Sequence, residues 1–373
     1  MKTAHILYDN YLLPDGSGMS VGGIQTYLTN LKDVLKDLGY NVIIYQRADK
    51  DFCKKVDDTL EVYGCSRPLK KVRGLKEQLY GFARPKINPE TDILIFGSDS
   101  NIVKVDKGII SFAIQHGISW DVPTQKLSRW EYVYFYAKKQ YQALRLSRTI
   151  KLVDYLICVD CNFINWYKAL VPSLQMKMYY IPNFSEVPDT IVEKPSIQEG
   201  INVIFARRFF PKRGTRLFMN VATRILDKYD NVHITIAGEG PDEGLMKEKL
   251  CHYSNVHFIR YNSQDSLMIH ADKHIAVVPT LGSEGTSLSL LEAMAAGCAV
   301  ICTNVGGMTN IVINKFNGLM ISPDEDELFE ALEQLINDED FRIRLAETGR
   351  QTVMTSFSLS EWKNSWKEVL KKI

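Results

Sequence analysis

What this chain of 373 residues lacks narrows the choices first. No stretch approaches the roughly 18 uninterrupted apolar residues of a membrane-crossing helix, so a bilayer-spanning protein is not expected. The opening MKTAHILYDNYLLPDG turns polar after a short strand-like core, too short for the apolar segment of a secretory signal. Seven cysteines, at 53, 65, 158, 161, 251, 298 and 302, lack the dense, even spacing of a disulfide scaffold. A reducing, cytoplasmic setting is the resulting expectation. Internal repeats and low-complexity tracts are absent, and no nucleic-acid-binding motif accompanies the basic residues. Nucleic acid is therefore not an expected partner.

An excess of one charge is missing as well: 45 basic and 44 acidic side chains leave +1. That balance hides an asymmetry. Residues 1–180 carry 25 Lys and Arg against 18 Asp and Glu, whereas residues 181–373 carry 20 against 26. The basic surplus concentrates in residues 66–86 and 126–151, each with seven cations, one Glu and interleaved aromatics. The second segment, KLSRWEYVYFYAKKQYQALRLSRTIK, reads as a helix with Trp130, Tyr134, Tyr141 and Leu144 among its apolar residues and Lys138, Arg145 and Arg148 on wetter faces. Two readings stay open. One is a solvated basic helix with a core-facing stripe; the other is a surface for anionic lipid headgroups or lipid-linked phosphate, peripheral at the inner face of the membrane.

A composition of 45% hydrophobic and 24% charged residues is that of a globular chain, long enough for two cores. Short apolar, β-branched runs alternate with helical stretches, the pattern of parallel sheets covered by helices. In the first half, strands are expected near residues 4–8, 41–46, 92–96, 109–114, 155–159 and 178–181. Between the first two, residues 24–38 carry apolar side chains at helical spacing and stop at Gly39. A polar, proline-punctuated stretch follows, and 183–200 reads as a linker. A second alternating series has strands near 202–206, 233–237, 256–259, 274–278, 299–303 and 319–321. Its helices are expected at 214–228, 242–251, 288–296 and 325–337. The fold class is α/β, with two doubly wound Rossmann-like domains facing across a cleft, and ligands at the carboxyl ends of strands. The domains are 1–182 and 201–356, with 357–373, which carries Trp362 and Trp366 at helical spacing, packing back on the first.

The most informative string is PTLGSEGTSLSLLEAMAAG, residues 279–297. Ser287 is the expected N-cap of a helix, so the amides of residues 288–290 point outward at the positive end of the helix dipole, a natural anion site. In LSLLEAMAA only Ser289 and Glu292 are polar, about 60° apart on the wheel. A carboxylate on so apolar a helix needs hydrogen-bonding partners, and ribose hydroxyls would supply them. Glu284 lies before the helix. The order Glu284, amides, Glu292 matches a nucleotide sugar read from sugar to diphosphate to ribose.

This string, with a strand ending in Pro before it and GGMTNIVINKFNGLMISP after it, resembles the signature of the family-4 retaining glycosyltransferases of GT-B architecture, bacterial surface-polysaccharide type. GEGP at 238–241, IPN at 181–183 and GGIQTY at 22–27 are similar to strings that family carries. The likeness is strong in the C-terminal half and weak in the N-terminal half. It implies a donor domain in the second half and an acceptor-side domain in the first. It also implies transfer of a sugar, with retained configuration, from a nucleoside-diphosphate sugar to a glycan or lipid-linked acceptor in cell-surface polysaccharide synthesis. Glu284 would hold the sugar, and Gly285, Thr286, Ser287, Leu288, Ser289 and Glu292 the nucleotide. No metal or other obligatory cofactor is expected.

In FARRFFPKRGT the family pattern is a cation, a second cation five residues later and then Gly; aligned on Gly214 these are Arg208 and Arg213, neutralising the diphosphate. Gly22 and Gly23 would touch the donor. His116, at the end of the strand FAIQ, would bond the transferred sugar. Cys158-x-x-Cys161 lacks two further zinc ligands, and Asp324-Glu-Asp326 and Asp338-Glu-Asp340 are expected to cap helices rather than bind metal. Alternatives on the same fold are a nucleotide-sugar epimerase, a disaccharide synthase, or a non-catalytic nucleotide-sugar-binding subunit.

Overall fold

The computed structural model describes residues 2–20, 22–66, 74–117, 127–174, 177–262, 265–282 and 284–373. They form two compact units, the first of residues 1–116, 128–181 and 363–373, the second of residues 117–127 and 182–362.

The first unit contains β1 (Lys2–Leu7), α1 (Gly23–Asp37), β2 (Tyr40–Arg47), β3 (Phe52–Lys55), β4 (Leu60–Cys65), α2 (Leu75–Ala83), β5 (Ile93–Phe96), β6 (Ile110–Gln115), α3 (Arg129–Thr149), β7 (Tyr155–Cys158), α4 (Cys161–Leu170) and β8 (Met178–Tyr180). Its sheet runs β3-β4-β2-β1-β5-β6-β7-β8. All pairs are parallel except β3 with β4. The central strands are buried on both faces, which explains their near-continuous apolar runs. On α1, Tyr27, Leu28, Leu31, Val34 and Leu35 recur at helical spacing and are all buried. The hairpin β3–β4, which the sequence reading did not anticipate, sits at the sheet edge.

The second unit contains β9 (Ile201–Ala206), α5 (Thr215–Lys228), β10 (Val232–Ala237), α6 (Glu243–Leu250), β11 (Val256–Ile259), α7 (Ser266–Ala271), β12 (Ile275–Val278), α8 (Leu288–Ala295), β13 (Ala299–Thr303), β14 (Leu319–Ile321), α9 (Glu325–Asn337) and α10 (Glu339–Ser356). Its strands run β11-β10-β9-β12-β13-β14, all parallel. Side chains alternate across the sheet with period two. Val203 and Phe205 join the layer of Phe218, Ile225 and Leu328, while Ile204 and Ala206 join that of Leu290, Met294 and Val353. The order reverses between β9 and β12, and such a reversal opens a crevice at the strand ends.

Asp324 accepts from the amides of Asp326 and Glu327 at 2.9 and 3.1 Å, and Asp338 from that of Phe341 at 3.0 Å. Both acidic strings therefore cap helices, as expected. The last helix, α11 (Leu359–Leu370), begins in the second unit and belongs to the first from Lys363 onward. Within the first unit Trp366 is fully buried; its indole N–H donates to the Tyr27 hydroxyl at 2.9 Å, and its ring lies 6.5 Å from that of Phe112. Among the described residues, no helix is long and apolar enough to cross a membrane.

Candidate active site

The second unit brings one group of expected residues together at its strand-order reversal. Arg207 is the first residue beyond β9, and residues 279–287 leave β12 toward α8. The Arg207 guanidinium donates to Glu284 Oε2 at 2.7 Å and also to the Thr280 hydroxyl. Arg213 pairs with the same carboxylate oxygen. Arg207 is 7% exposed, and burial pushes its pKa down to about 10. Burying charge is costly unless it is paired and hydrogen-bonded; here one carboxylate faces two guanidinium groups, so the cluster keeps a net positive charge.

This arrangement adds one residue to those expected. Glu284 is held by Arg207, which the sequence reading did not single out, while the neighbouring Arg208, expected to neutralise the diphosphate, is exposed. The reason is the end of β9: the chain leaves the sheet at Ala206, and the next side chain turns into the crevice. Arg208 contributes positive charge near the Tyr261 phenol, which also feels Arg207 and Glu292.

Two glycines hold the loops in place. Gly214 adopts φ +78°, and a Cβ there would stand 1.8 Å from the Pro279 carbonyl oxygen. Only glycine lets the turn before α5 pack so closely on the segment after β12. A Cβ on Gly306 would fall 2.2 Å from the Glu284 carbonyl oxygen, and the Gly307 amide donates to that oxygen at 3.0 Å. The backbone carrying Glu284 is thus fixed by the turn at residues 306–307.

Ser287 precedes α8 in an extended conformation, and its carbonyl accepts the first helical bond, from Leu291, at 3.1 Å. Gly285, Thr286 and Ser287 are buried, and the Asn183 amide donates to the Thr286 carbonyl at 2.6 Å. The amides of Leu288 and Ser289 lie in the first turn, where α-helix geometry provides no intrahelical acceptor. Ser289 shares a hydroxyl contact with Ser287 at 3.2 Å.

Glu292, one turn into α8, accepts from the Ser266 hydroxyl at 2.5 Å, and burial raises its pKa above the usual carboxylate range. Burial and then the nearby Glu292 carboxylate push the Tyr261 phenol up to about 12. His270, itself buried, donates through Nδ1 to the Ser266 carbonyl at 2.6 Å and so braces the residue that holds Glu292. Ser266, Tyr261 and His270 escaped the sequence reading, having no local motif and lying more than twenty residues before Glu292.

His116, Gly22 and Gly23 belong to the first unit. His116 Nε2 must carry the proton, since it lies 2.9 Å from the Gly97 carbonyl oxygen, which only accepts. Burial holds the imidazole down to about 4, so it is neutral at pH 7 and keeps Nδ1 as an acceptor. The Tyr27 ring meets it edge-on at 5.0 Å. Gly22 and Gly23 open α1. Cys158 is buried, with its thiol raised well above the usual range by that burial, and Asp160 caps α4 by accepting from the Asn162 amide at 2.9 Å.

Residues 188–352 match the family model described as Glycosyl transferases group 1. An uncharacterized glycosyltransferase of Methanocaldococcus jannaschii is 26% identical over 174 residues, 45% of this chain and 43% of that protein. The gpi3 subunit of phosphatidylinositol N-acetylglucosaminyltransferase from Schizosaccharomyces pombe is 26% identical over 335 residues, 85% of this chain and 70% of that protein. The chain thus spans under half of the first relative's length. Among solved structures, Anabaena HepE in complex with UDP superposes with a TM-score of 0.70 at 15% identity, covering all of both chains.

Proposed function

We propose, from a second unit that matches the family model of the group 1 glycosyltransferases, that this chain transfers a sugar with retained anomeric configuration from a nucleoside-diphosphate sugar to a glycan or lipid-linked acceptor in cell-surface polysaccharide assembly. The observation that carries the reading is the Arg207–Glu284–Arg213 cluster at the β9/β12 reversal, beside the first turn of α8. Two guanidinium groups and outward amides suit a diphosphate. Glu284 suits sugar hydroxyls, and Glu292 with Ser266 suits ribose. UDP in the Anabaena neighbour supports a nucleotide donor of this kind.

In the proposed step the anomeric carbon leaves the diphosphate oxygen and bonds to the acceptor oxygen on the same face. The departing phosphate oxygen takes the acceptor proton, and Arg208 and Arg213, with Arg207 on Glu284 beside them, stabilise the charge that develops on it. Neutral His116 accepts a sugar hydroxyl at Nδ1 rather than serving as a general base. No step requires a metal, and the reaction takes place on the cytoplasmic side, with the chain peripheral to the membrane.

The test is a mass-spectrometric screen of UDP-, GDP- and dTDP-sugars against glycan and lipid-linked acceptors. The expected result is nucleoside-diphosphate release coupled to an acceptor gain of one glycosyl residue with retained configuration. Inversion at the anomeric carbon would refute the mechanism. Donor binding without release under any acceptor would favour the alternative of a non-catalytic binding subunit.

A further inference from the structure

We propose that one face of α3 is the surface on which this chain sits against an anionic lipid bilayer, and that docking there brings a cationic cavity of the first unit to the headgroup layer. The helix has two sides. At about 100° per residue, Phe135, Lys139, Ala143, Leu146 and Ser147 share one of them and are half-buried or buried. The Tyr167 hydroxyl of α4 donates to the Ala143 carbonyl at 3.4 Å on that side. It is the packing side over the second half of the helix; nearer the start, Tyr132 and Tyr136 on the same side are 59% and 57% exposed, so the first turns stand clear of the unit all round. The opposite side carries Trp130, Val133, Tyr134, Tyr141 and Leu144, which are 81%, 52%, 70%, 64% and 54% exposed. The stripe that the sequence offered to a core faces outward instead.

Lipid is favoured as the occupant by charge and by residue type. Lys138, Arg145 and Arg148 border the stripe, while the one acid of the helix, Glu131, is engaged in a capping box with Ser128 at its start. A second copy laid on the same face would bring like charges together, whereas anionic headgroups neutralise them. Trp and Tyr rings partition to the boundary between headgroups and acyl chains. With 21 residues the helix is about 31 Å long, enough to lie in that layer as a continuous contact.

Arg145 also lines a cavity of about 570 Å³ with Asp9, Arg47, Lys76, Glu77 and Asn101. The first sheet reverses its strand order between β1 and β5, and the cavity stands at that reversal. There Asn101 donates to Asp9 Oδ1 at 3.1 Å, and Arg47 pairs with the same oxygen at 3.2 Å. Three cations against two carboxylates suit a phosphate-bearing lipid presented from the bilayer. Only this identification of the delivered lipid as an acceptor rests on the glycosyltransferase reading; the docking face does not.

The experiment is flotation of the full chain with vesicles of phosphatidylcholine, with and without phosphatidylglycerol. The chain is expected to float only with the anionic vesicles and to be released by salt. Replacing Lys138 and Arg148 by Gln lowers partitioning on the order of 25-fold, at about fivefold per cation near the surface. A triple Trp130→Ser, Tyr134→Ser, Tyr141→Ser variant loses flotation while circular dichroism and UDP titration stay unchanged. Absence of binding to UDP, GDP and dTDP alike with intact flotation would count against the glycosyltransferase reading and leave the docking face standing. No anionic-dependent flotation, equal flotation of the variants, or a dimer dissolved by the aromatic substitutions in light scattering would overturn the docking face.

Discussion

Arg207 and Glu284 meet at 2.7 Å across the point where the second sheet reverses its strand order, one from the end of β9 and the other from the loop beyond β12. The pair joins two segments that lie 77 residues apart in the chain. Its position separates neighbouring arginines that look alike in the sequence. Arg207→Ala and Arg213→Ala will each lower kcat/KM on the order of 100-fold, a loss of roughly 3 kcal/mol in transition-state stabilisation. Steady-state rates for both variants check this, and an Arg207 variant with undiminished kcat/KM would refute its place in the site.

Glu284 and Glu292 differ in what holds them, two guanidinium groups for the first and the Ser266 hydroxyl for the second. Glu284→Ala will abolish transfer while weakening nucleoside-diphosphate binding far less than Glu292→Ala does. Calorimetric titration of both variants is the measurement; equal losses of affinity would end this division of roles.

Gly214 and Gly244 will respond in opposite directions to alanine. At Gly214 the new Cβ meets the Pro279 carbonyl in a left-handed backbone, and the cost is about 2 kcal/mol or more. Gly244, in α6, has nothing within 4 Å of its Cβ position, so Gly244→Ala stabilises by about 0.5 kcal/mol. Thermal unfolding of the two variants reads the difference directly.

His270 couples stability to pH. Burial holds its pKa down to about 4, against about 6.5 for an imidazole in water. The unfolded chain therefore binds the proton first as pH falls, so the contribution of neutral His270 is fully present above about 6.5 and is lost progressively toward 4. His270→Gln will flatten the denaturation midpoint across that window relative to wild type. Urea unfolding at pH 7 and pH 5 decides it, and identical slopes for the two proteins would show that His270 does not carry the effect.

The fold was legible because its strands are buried on both faces. Runs such as Ile93–Phe96 and Ala299–Thr303 are wholly buried and announce themselves as continuous apolar stretches. The hairpin of β3 and β4 did not, since Phe52–Lys55 alternates half-buried and exposed residues at an edge. The loop from Glu284 to Ser287 was readable because its glycines, hydroxyls and carboxylate lie close together in sequence. Arg207 was one residue out of reach, since RRFFPKR offers several cations and only the exact end of β9 selects among them. Ser266 and Tyr261 reach Glu292 through tertiary packing alone. For α3, helical spacing revealed an apolar stripe but not which way it turned; 81% exposure of Trp130 answers that.

Trp366 carries a consequence for how the protein is made. The first unit draws part of its interior, beside Tyr27 and Phe112, from residues 363–373. While the ribosome is still translating the second unit, the first has every strand of its sheet yet lacks the indole that fills that space. It waits as an incompletely packed body, with apolar surface exposed, while the second unit has its last core side chains, Val353 and Phe357, before residue 363. The half of the chain synthesised first is therefore the half whose folding finishes last, and its exposure to chaperones lasts for the time needed to translate the second unit.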